Sequence, residues 1–249
     1  MLEICIIGTG RVGSQLVRVL SHTNSVKITQ IYNRTKTKLK AFESIAPTTS
    51  EISDLKSADL ALIAVKDDAI APLISSIASI FPTIAHTSGS LGLQKHGQNN
   101  AVFYPLQSFS QKEIDFNQVP LCIEADNRQT FDTIENLAKK ISTQVYSVTT
   151  EQRKYLHLAA VFANNFTNQM YAMAQKICQA NNLDFEILHP LIQETATKIK
   201  TTPAIEAQTG PALRQDTQTM QRHLKLLSTP EEKEIYSLLS RAIQNTHKL

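Results

Sequence analysis

An α/β chain, with a doubly wound and mostly parallel sheet followed by an all-helical C-terminal region, is the fold class this sequence predicts. Three observations carry that expectation. Short apolar runs alternate with helical periodicities as far as about residue 148. After Thr149 the strand signals stop. A Gly-x-Gly-x-x-Gly stretch joins the first apolar run to the first helical one. The 249 residues suit one large domain or two modest ones, and the change of texture places domains at 1–149 and 150–249.

The elements follow in order. Leu2 to Ile7 reads as a buried strand ended by Gly8, and Val12, Leu16, Val19 and Leu20 then recur at helical spacing. Val26 to Tyr32 is a second strand, and Thr35 to Ser44 a helix stopped before Pro47. Asp59 to Val65 is a continuous apolar strand, of the kind a parallel sheet buries on both faces. A helix is expected over Asp67 to Phe81, then strands over Thr83 to Thr87, Ala101 to Tyr104 and Leu121 to Glu124. Arg128 to Ile141 closes the alternation as a helix, with a last strand over Gln144 to Val148.

Beyond it, Tyr155, Leu158, Phe162, Phe166, Met170, Met173 and Ile177 recur at spacings of three and four. They predict one long amphipathic helix over Glu151 to Ala180. Further helices are expected over Asp184 to Lys200, Ala212 to Leu227 and Pro230 to Thr246.

Composition removes several classes of function. Apolar residues make up 42% and charged residues 19%, enough to bury a core and too apolar for disorder. The net charge of +3 is nearly balanced and no dense Lys/Arg block occurs, so nucleic acid and membrane surfaces are not the expected partners. Cys5, Cys122 and Cys178 are odd in number and far apart, against a disulfide framework. His86, His96 and His223 lack ligand spacing, and no metal site is expected. No apolar run approaches membrane length and Glu3 interrupts the N-terminus, so the chain reads as cytoplasmic.

The glycine motif, Gly8-Thr9-Gly10-Arg11-Val12-Gly13, acquires meaning from its place after a strand and before a helix. Gly8 permits the tight turn, Gly10 lets the backbone approach a pyrophosphate, and Gly13 lets helix and strand pack closely. The helix N-terminus presents free N–H groups to phosphates. This is a Rossmann-type dinucleotide site. An NAD site usually carries an acid at the end of the second strand. Here Asn33-Arg34-Thr35-Lys36 stands there, so the 2′-phosphate of NADP meets no repulsion and Arg34 can pair with it. Thr35 offers a hydroxyl, and Lys36 or Lys38 adds charge or is merely solvated. Val65 and Lys66 close the next strand at the crevice, Lys66 either reaching phosphate or standing in solvent.

These stretches, with His86-Thr87-Ser88-Gly89-Ser90, Tyr104-Pro105-Leu106-Gln107-Ser108-Phe109, Tyr155-Leu156-His157 through Asn164-Asn165, and Thr209-Gly210-Pro211 through Arg214 and Asp216, resemble the Rossmann-like proteins with a DUF2520 C-terminal domain. That family lies in the 6-phosphogluconate dehydrogenase-like group, near pyrroline-5-carboxylate reductase, prephenate dehydrogenase and coenzyme F420-dependent NADP reductase. The resemblance spans nearly the whole chain. It implies NADP as cofactor, hydride transfer to a small substrate, and a homodimer formed through the helical domain. Related hydroxyacid dehydrogenases carry a catalytic lysine a few residues before paired asparagines. Here Ala159, Ala160 and Val161 precede Asn164-Asn165, and the nearest cation is Lys154. Tyr104 stands where many relatives have histidine, and Gln215 where they often have glycine.

Candidate chemistry follows. Ser88 and Ser90 flank Gly89 after a strand end, where their hydroxyls either meet a substrate carbonyl or build an ordinary turn. His157, Val161, Asn164 and Asn168 fall on one helical stripe, apart from the stripe of Phe162, Phe166 and Met170. His157 is therefore the acid–base candidate, with Asn164 beside it, unless its ring is simply satisfied or solvated. Asn165 and Arg214 are candidate substrate contacts. Arg214, early in a helix, holds an anion, crosses a dimer interface, or forms a surface ion pair with Asp216. The expected function is an NADP-dependent oxidoreductase acting on a small carbonyl or imine compound. An NADP-binding sensor or scaffold without turnover is the alternative, and F420 as hydride partner a third.

Overall fold

The computed structural model describes residues 1–95, 98–110 and 112–247. Two compact units divide the chain, Met1–Asn165 and Phe166–Leu249. The division falls later than the Thr149-Thr150 boundary read from the sequence, because the first helix after the sheet belongs with the sheet.

Eight strands form one sheet: β1 (Leu2–Ile7), β2 (Val26–Tyr32), β3 (Thr48–Thr49), β4 (Leu60–Ile63), β5 (Thr83–His86), β6 (Asn99–Pro105), β7 (Leu121–Ala125) and β8 (Val145–Ser147). Their order is β3-β2-β1-β4-β5-β6-β7-β8, with every pairing parallel except β6 against β7. This is the doubly wound, mostly parallel arrangement expected. The chain reverses its direction of winding between β1 and β4, and such a switch point opens a crevice at the strands' carboxyl ends.

Side-chain alternation divides the core. Ile4, Ile6, Leu60, Leu62, Ala101 and Phe103 face α1 (Arg11–Ser21) and α3 (Arg128–Lys139). Cys5, Ile7, Ala61, Ile63 and Ile84 face the opposite way, onto Ile70, Ile74 and Ile77 of α2 (Asp67–Ile77). Both faces of β4 are buried, as its unbroken apolar run requires.

Several elements depart from the sequence reading. In place of a helix over Thr35 to Ser44 there are two 3-10 turns, Lys36–Lys38 and Lys40–Phe42. Only Leu39 and Phe42 anchor the segment, a spacing of three, and Thr35 makes no side-chain cap. The long helix is interrupted: α4 (Thr150–Ala160) passes into a π-helical segment, Val161–Phe166, before α5 (Thr167–Ala180). Its expected core stripe is exposed at Tyr155, Leu158, Phe162 and Phe166.

In the second unit, Pro190 starts α6 (His189–Lys198) after a separate 3-10 turn, Phe185–Leu188. The helix expected from Ala212 begins instead at Thr217, as α7 (Thr217–Leu226), with α8 (Pro230–Thr246) after it. Asp216 is the N-cap, its carboxylate accepting from the Thr219 amide at 3.0 Å, and Gln215 has a left-handed φ of 55°. Arg214 thus lies before the helix. Among the described residues, no helix is long and apolar enough to cross a membrane.

The left-handed Gln215 gives a test. Such a conformation costs a residue with a Cβ about 1–2 kcal/mol, which glycine avoids at some entropic expense. Gln215→Gly is expected to stabilise the chain by about 0.5–1 kcal/mol in denaturant titration. A loss of stability would show that the Gln215 side chain contributes contacts outweighing its backbone.

Candidate functional site

A cleft of about 870 Å³ follows the carboxyl ends of the strands in the first unit. Its lining runs from Gly8, Thr9, Gly10, Arg11 and Val12, past Asn33, Arg34, Thr35 and Lys38, to Val65, Lys66, Asp67, Ser88, Gly89, Ser90, Tyr104 and His157. The structure therefore brings together most of the residues singled out in the sequence. Gly13 lies beneath the lining. Asn164 and Asn165 are exposed in the π-helical segment, outside the cleft lining, because its wider turn breaks the stripe that would have aligned Asn164 with His157. Arg214 is exposed in the other unit. His96 lies outside the described residues.

The glycine loop is built by close approach. A Cβ on Gly13 would stand 1.9 Å from the Gly8 carbonyl oxygen, and one on Gly8, where φ is 102°, 2.4 Å from that of Ala64. Gly10 differs: nothing lies within 4 Å of its would-be Cβ. Above it is open space at the N-terminus of α1, a helix with no side-chain cap and no acid in its first turn. Free amides, a positive helix end and room for an approaching group suit a pyrophosphate. Asn33 braces the loop: its amide donates to Thr9 Oγ1 at 2.6 Å, and its carbonyl oxygen accepts from the Thr35 amide at 2.8 Å. Arg34 and Thr35, both exposed on the cleft, are left to meet the ribose end of a dinucleotide.

The other end of the cleft rests on a buried polar layer. His86 on β5, Tyr104 on β6 and Glu124 on β7 point to one face of the sheet, opposite Phe103 and Ile123. Helix α4 supplies Arg153 to this layer, and its side chain is fully buried. The guanidinium bonds to the Glu124 carboxylate and to the Leu91 carbonyl. Among the described residues, its Nε has no hydrogen-bond partner. Glu124 also accepts from the amide and hydroxyl of Thr150, the first residue of α4, at 3.0 and 2.9 Å. The Thr150 hydroxyl in turn accepts from the Leu93 amide at 3.2 Å. One ion pair therefore ties together β7, the start of α4 and the loop after β5.

That loop carries Ser88–Ser90. Ser88 Oγ accepts from the amides of Ser90 and Leu91 at 3.2 and 3.0 Å, so Ser88 shapes the turn. Ser90 donates to the carboxylate of Asp67. His86 accepts from the Ser88 amide at Nδ1 and lies 3.2 Å from the Gly92 carbonyl at Nε2. Burial pushes its pKa down to about 4, which keeps the ring neutral and fixes it as a brace. One turn beyond Arg153, His157 meets Tyr104, with Nδ1 3.0 Å from the phenolic oxygen. Lys154 pairs with Glu151 at 2.8 Å, away from the cleft, and does not replace the lysine of the hydroxyacid dehydrogenases.

Sequence reading missed Tyr104 as a site residue and Arg153 altogether. The available signal was the spacing of Arg153 and His157, four apart on one helix face.

The profile of the family described as Domain of unknown function (DUF2520) matches residues 119–243. The chain belongs to the DUF2520 family. A second profile, NADP oxidoreductase coenzyme F420-dependent, matches residues 3–83, the stretch that holds the glycine loop. No curated protein matches the sequence. Among solved structures, a Bacteroides fragilis protein described as an NADP oxidoreductase is 36% identical over 98% of both chains, with a TM-score of 0.91. The fold is shared more widely. An imine reductase from Myxococcus stipitatus in complex with NADP+ is 17% identical, over 98% of this chain and 92% of that one, at TM-score 0.65. A 1-pyrroline-5-carboxylate reductase from Streptococcus pyogenes is 14% identical, over 98% and 96%, at TM-score 0.62. Within the DUF2520 chain described here, residues 119–243 include β7, Glu124, Arg153 and His157, so the family match covers one side of the polar layer.

Removing Arg153 leaves a carboxylate in a largely dehydrated layer. Arg153→Met is expected to cost about 3–5 kcal/mol, the usual penalty for breaking a buried pair on one side. Adding Glu124→Gln should recover part of that loss. Urea denaturation of both variants measures it, and a single variant within about 0.5 kcal/mol of wild type would contradict the tie.

Proposed function

We propose that the protein is an NADP-dependent oxidoreductase that moves hydride between NADP(H) and a small carbonyl or imine compound. One observation carries this reading: a single cleft joins the glycine loop and Arg34 to the Tyr104–His157 pair. When bound, the reduced nicotinamide supplies a hydride to the substrate carbon. The chain's own residues do the rest. The amides of Gly10 through Val12 hold the pyrophosphate, and Gly8 and Gly13 keep strand and helix close enough for that cradle to exist. Arg34 and Thr35, with Lys38 nearby, receive the 2′-phosphate; Val65 and Lys66 border the crevice at the switch point of the sheet. Ser88 and Ser90 shape the wall at the reacting end. The Tyr104–His157 pair supplies the proton that the substrate's oxygen or nitrogen needs as its carbon is reduced.

The relatives described as an imine reductase and a 1-pyrroline-5-carboxylate reductase, 17% and 14% identical, share the fold and support the reaction class. We also propose a homodimer through the helical unit, which exposes Ile187, Leu191, Ile199 and Leu226 to solvent in one chain. Sedimentation should give twice the 27.7 kDa chain mass; a monomer at micromolar concentration would remove this part of the proposal.

Fluorescence titration with NADPH and NADH tests the cofactor. NADPH is expected to bind more tightly. Arg34→Ala should weaken NADPH about 10- to 100-fold, as loss of a charge-assisted pair does, and leave NADH unchanged. Equal binding of both, unaffected by the substitution, would sink the 2′-phosphate assignment. Tight NADPH binding with no oxidation across keto acids, aldehydes and imines would leave the sensor as the surviving reading.

A further inference from the structure

We infer that Tyr104 hands the proton to the substrate and that His157 stands behind it as a positioning residue, an assignment that rests on the reductase reading above. Tyr104 is the penultimate residue of β6, at the carboxyl side of the parallel sheet, two residues beyond Val102, which pairs with His86. It lines the cleft next to Ser88 and Gly89. The bare backbone of Gly89 lies directly against the hydrogen bond between the two side chains. A Cβ there would stand 2.7 Å from Tyr104 Cζ, 2.9 Å from its hydroxyl and 2.8 Å from His157 Nδ1. The two rings meet edge to face, at 75°.

The His157 atom that faces this point is Nδ1, and that nitrogen is already engaged with Tyr104. A phenolic oxygen can accept one hydrogen bond while donating another. Tyr104 can therefore accept from Nδ1–H and direct its own O–H into the cleft. Burial raises the phenol to about 12, with Cys122 and Asp67 adding to the rise and Arg153 opposing it, so the acid stays protonated through the neutral range.

Hydride from the reduced nicotinamide forms a C–H bond at the C=O or C=N carbon, and the π pair moves to the heteroatom. The Tyr104 O–H bond breaks and an O–H or N–H bond forms on the substrate. As the Nδ1–H of His157 passes to the tyrosinate, solvent protonates Nε2, so the ring stays neutral, and a tautomer shift through solvent then restores Nδ1–H. In sum, NADPH, substrate and one solvent proton become NADP+ and reduced product.

The test is single-turnover NADPH oxidation by the full chain, with 2-methyl-1-pyrroline and methylglyoxal as probes, across pH. Tyr104→Phe is expected to lower the rate at least about 100-fold with NADPH affinity unchanged. His157→Asn should lower it by less, about tenfold, because the phenol remains. Gly89→Ala, which forces the pair apart, should mimic Tyr104→Phe while still binding NADPH. After allowance for any protonation of the imine probe itself, the wild-type rate should stay level from neutrality to at least pH 10. A rate falling through the neutral range, where histidines titrate, together with a Tyr104→Phe variant within threefold of wild type, would make His157 the donor and overturn the assignment. A wild type that binds NADPH but oxidises it with neither probe fails at the reductase reading, and this assignment falls with it. A wild type that does not bind NADPH at all fails earlier, at the cofactor.

Discussion

A guanidinium with no access to water organises the reacting end of this molecule. Arg153 holds Glu124 on β7 and the Leu91 carbonyl on the loop after β5, and it does so from α4. Burying a charge this deeply is costly unless it is paired and hydrogen-bonded. The cost is offset only if strand, loop and helix stand where the guanidinium can reach all of its partners. Those same positions bring His157 to Tyr104 and lay the Gly89 backbone against both. The ion pair is thus weak evidence for stability and strong evidence for registry: it makes one arrangement of three segments far better than its neighbours.

The cofactor end is held by a different constraint, contact between bare backbones. Gly13 and Gly8 are so close that no side chain fits, whereas Gly10 faces open space. Sterics form the cradle and electrostatics form the proton-handling end. The two meet along the carboxyl edge of the sheet because the winding reverses between β1 and β4. His86, neutral and bonded on both sides, joins them by fixing the turn that carries Ser88 to Ser90.

What the sequence reveals follows the range of each interaction. Apolar runs such as Leu60–Ile63 and the glycine motif are local patterns, and the sheet and cradle were legible from them. So were Arg34 and Thr35, because the missing acid at the end of β2 is itself a local fact. The polar layer was not. Arg153 and Lys154 are adjacent cations on an amphipathic helix, yet one is fully buried against Glu124 and the other pairs with Glu151 at the surface. Only the pairing of β6 with β7 and the docking of α4 distinguish them. The π-helical segment Val161–Phe166 likewise has no mark in the local pattern, and it defeats a stripe drawn at ideal α-helical spacing. Gln215 shows the reverse case: it stands where a glycine was expected from the resemblance, and its own backbone is left-handed.

A crystal structure of the NADP+ complex tests the central claim most directly. The account requires the pyrophosphate over Gly10, the 2′-phosphate at Arg34, and the nicotinamide against Gly89 with its reactive carbon facing the side where Tyr104 and His157 meet. A dinucleotide bound elsewhere, or a nicotinamide turned away from that pair, would contradict it.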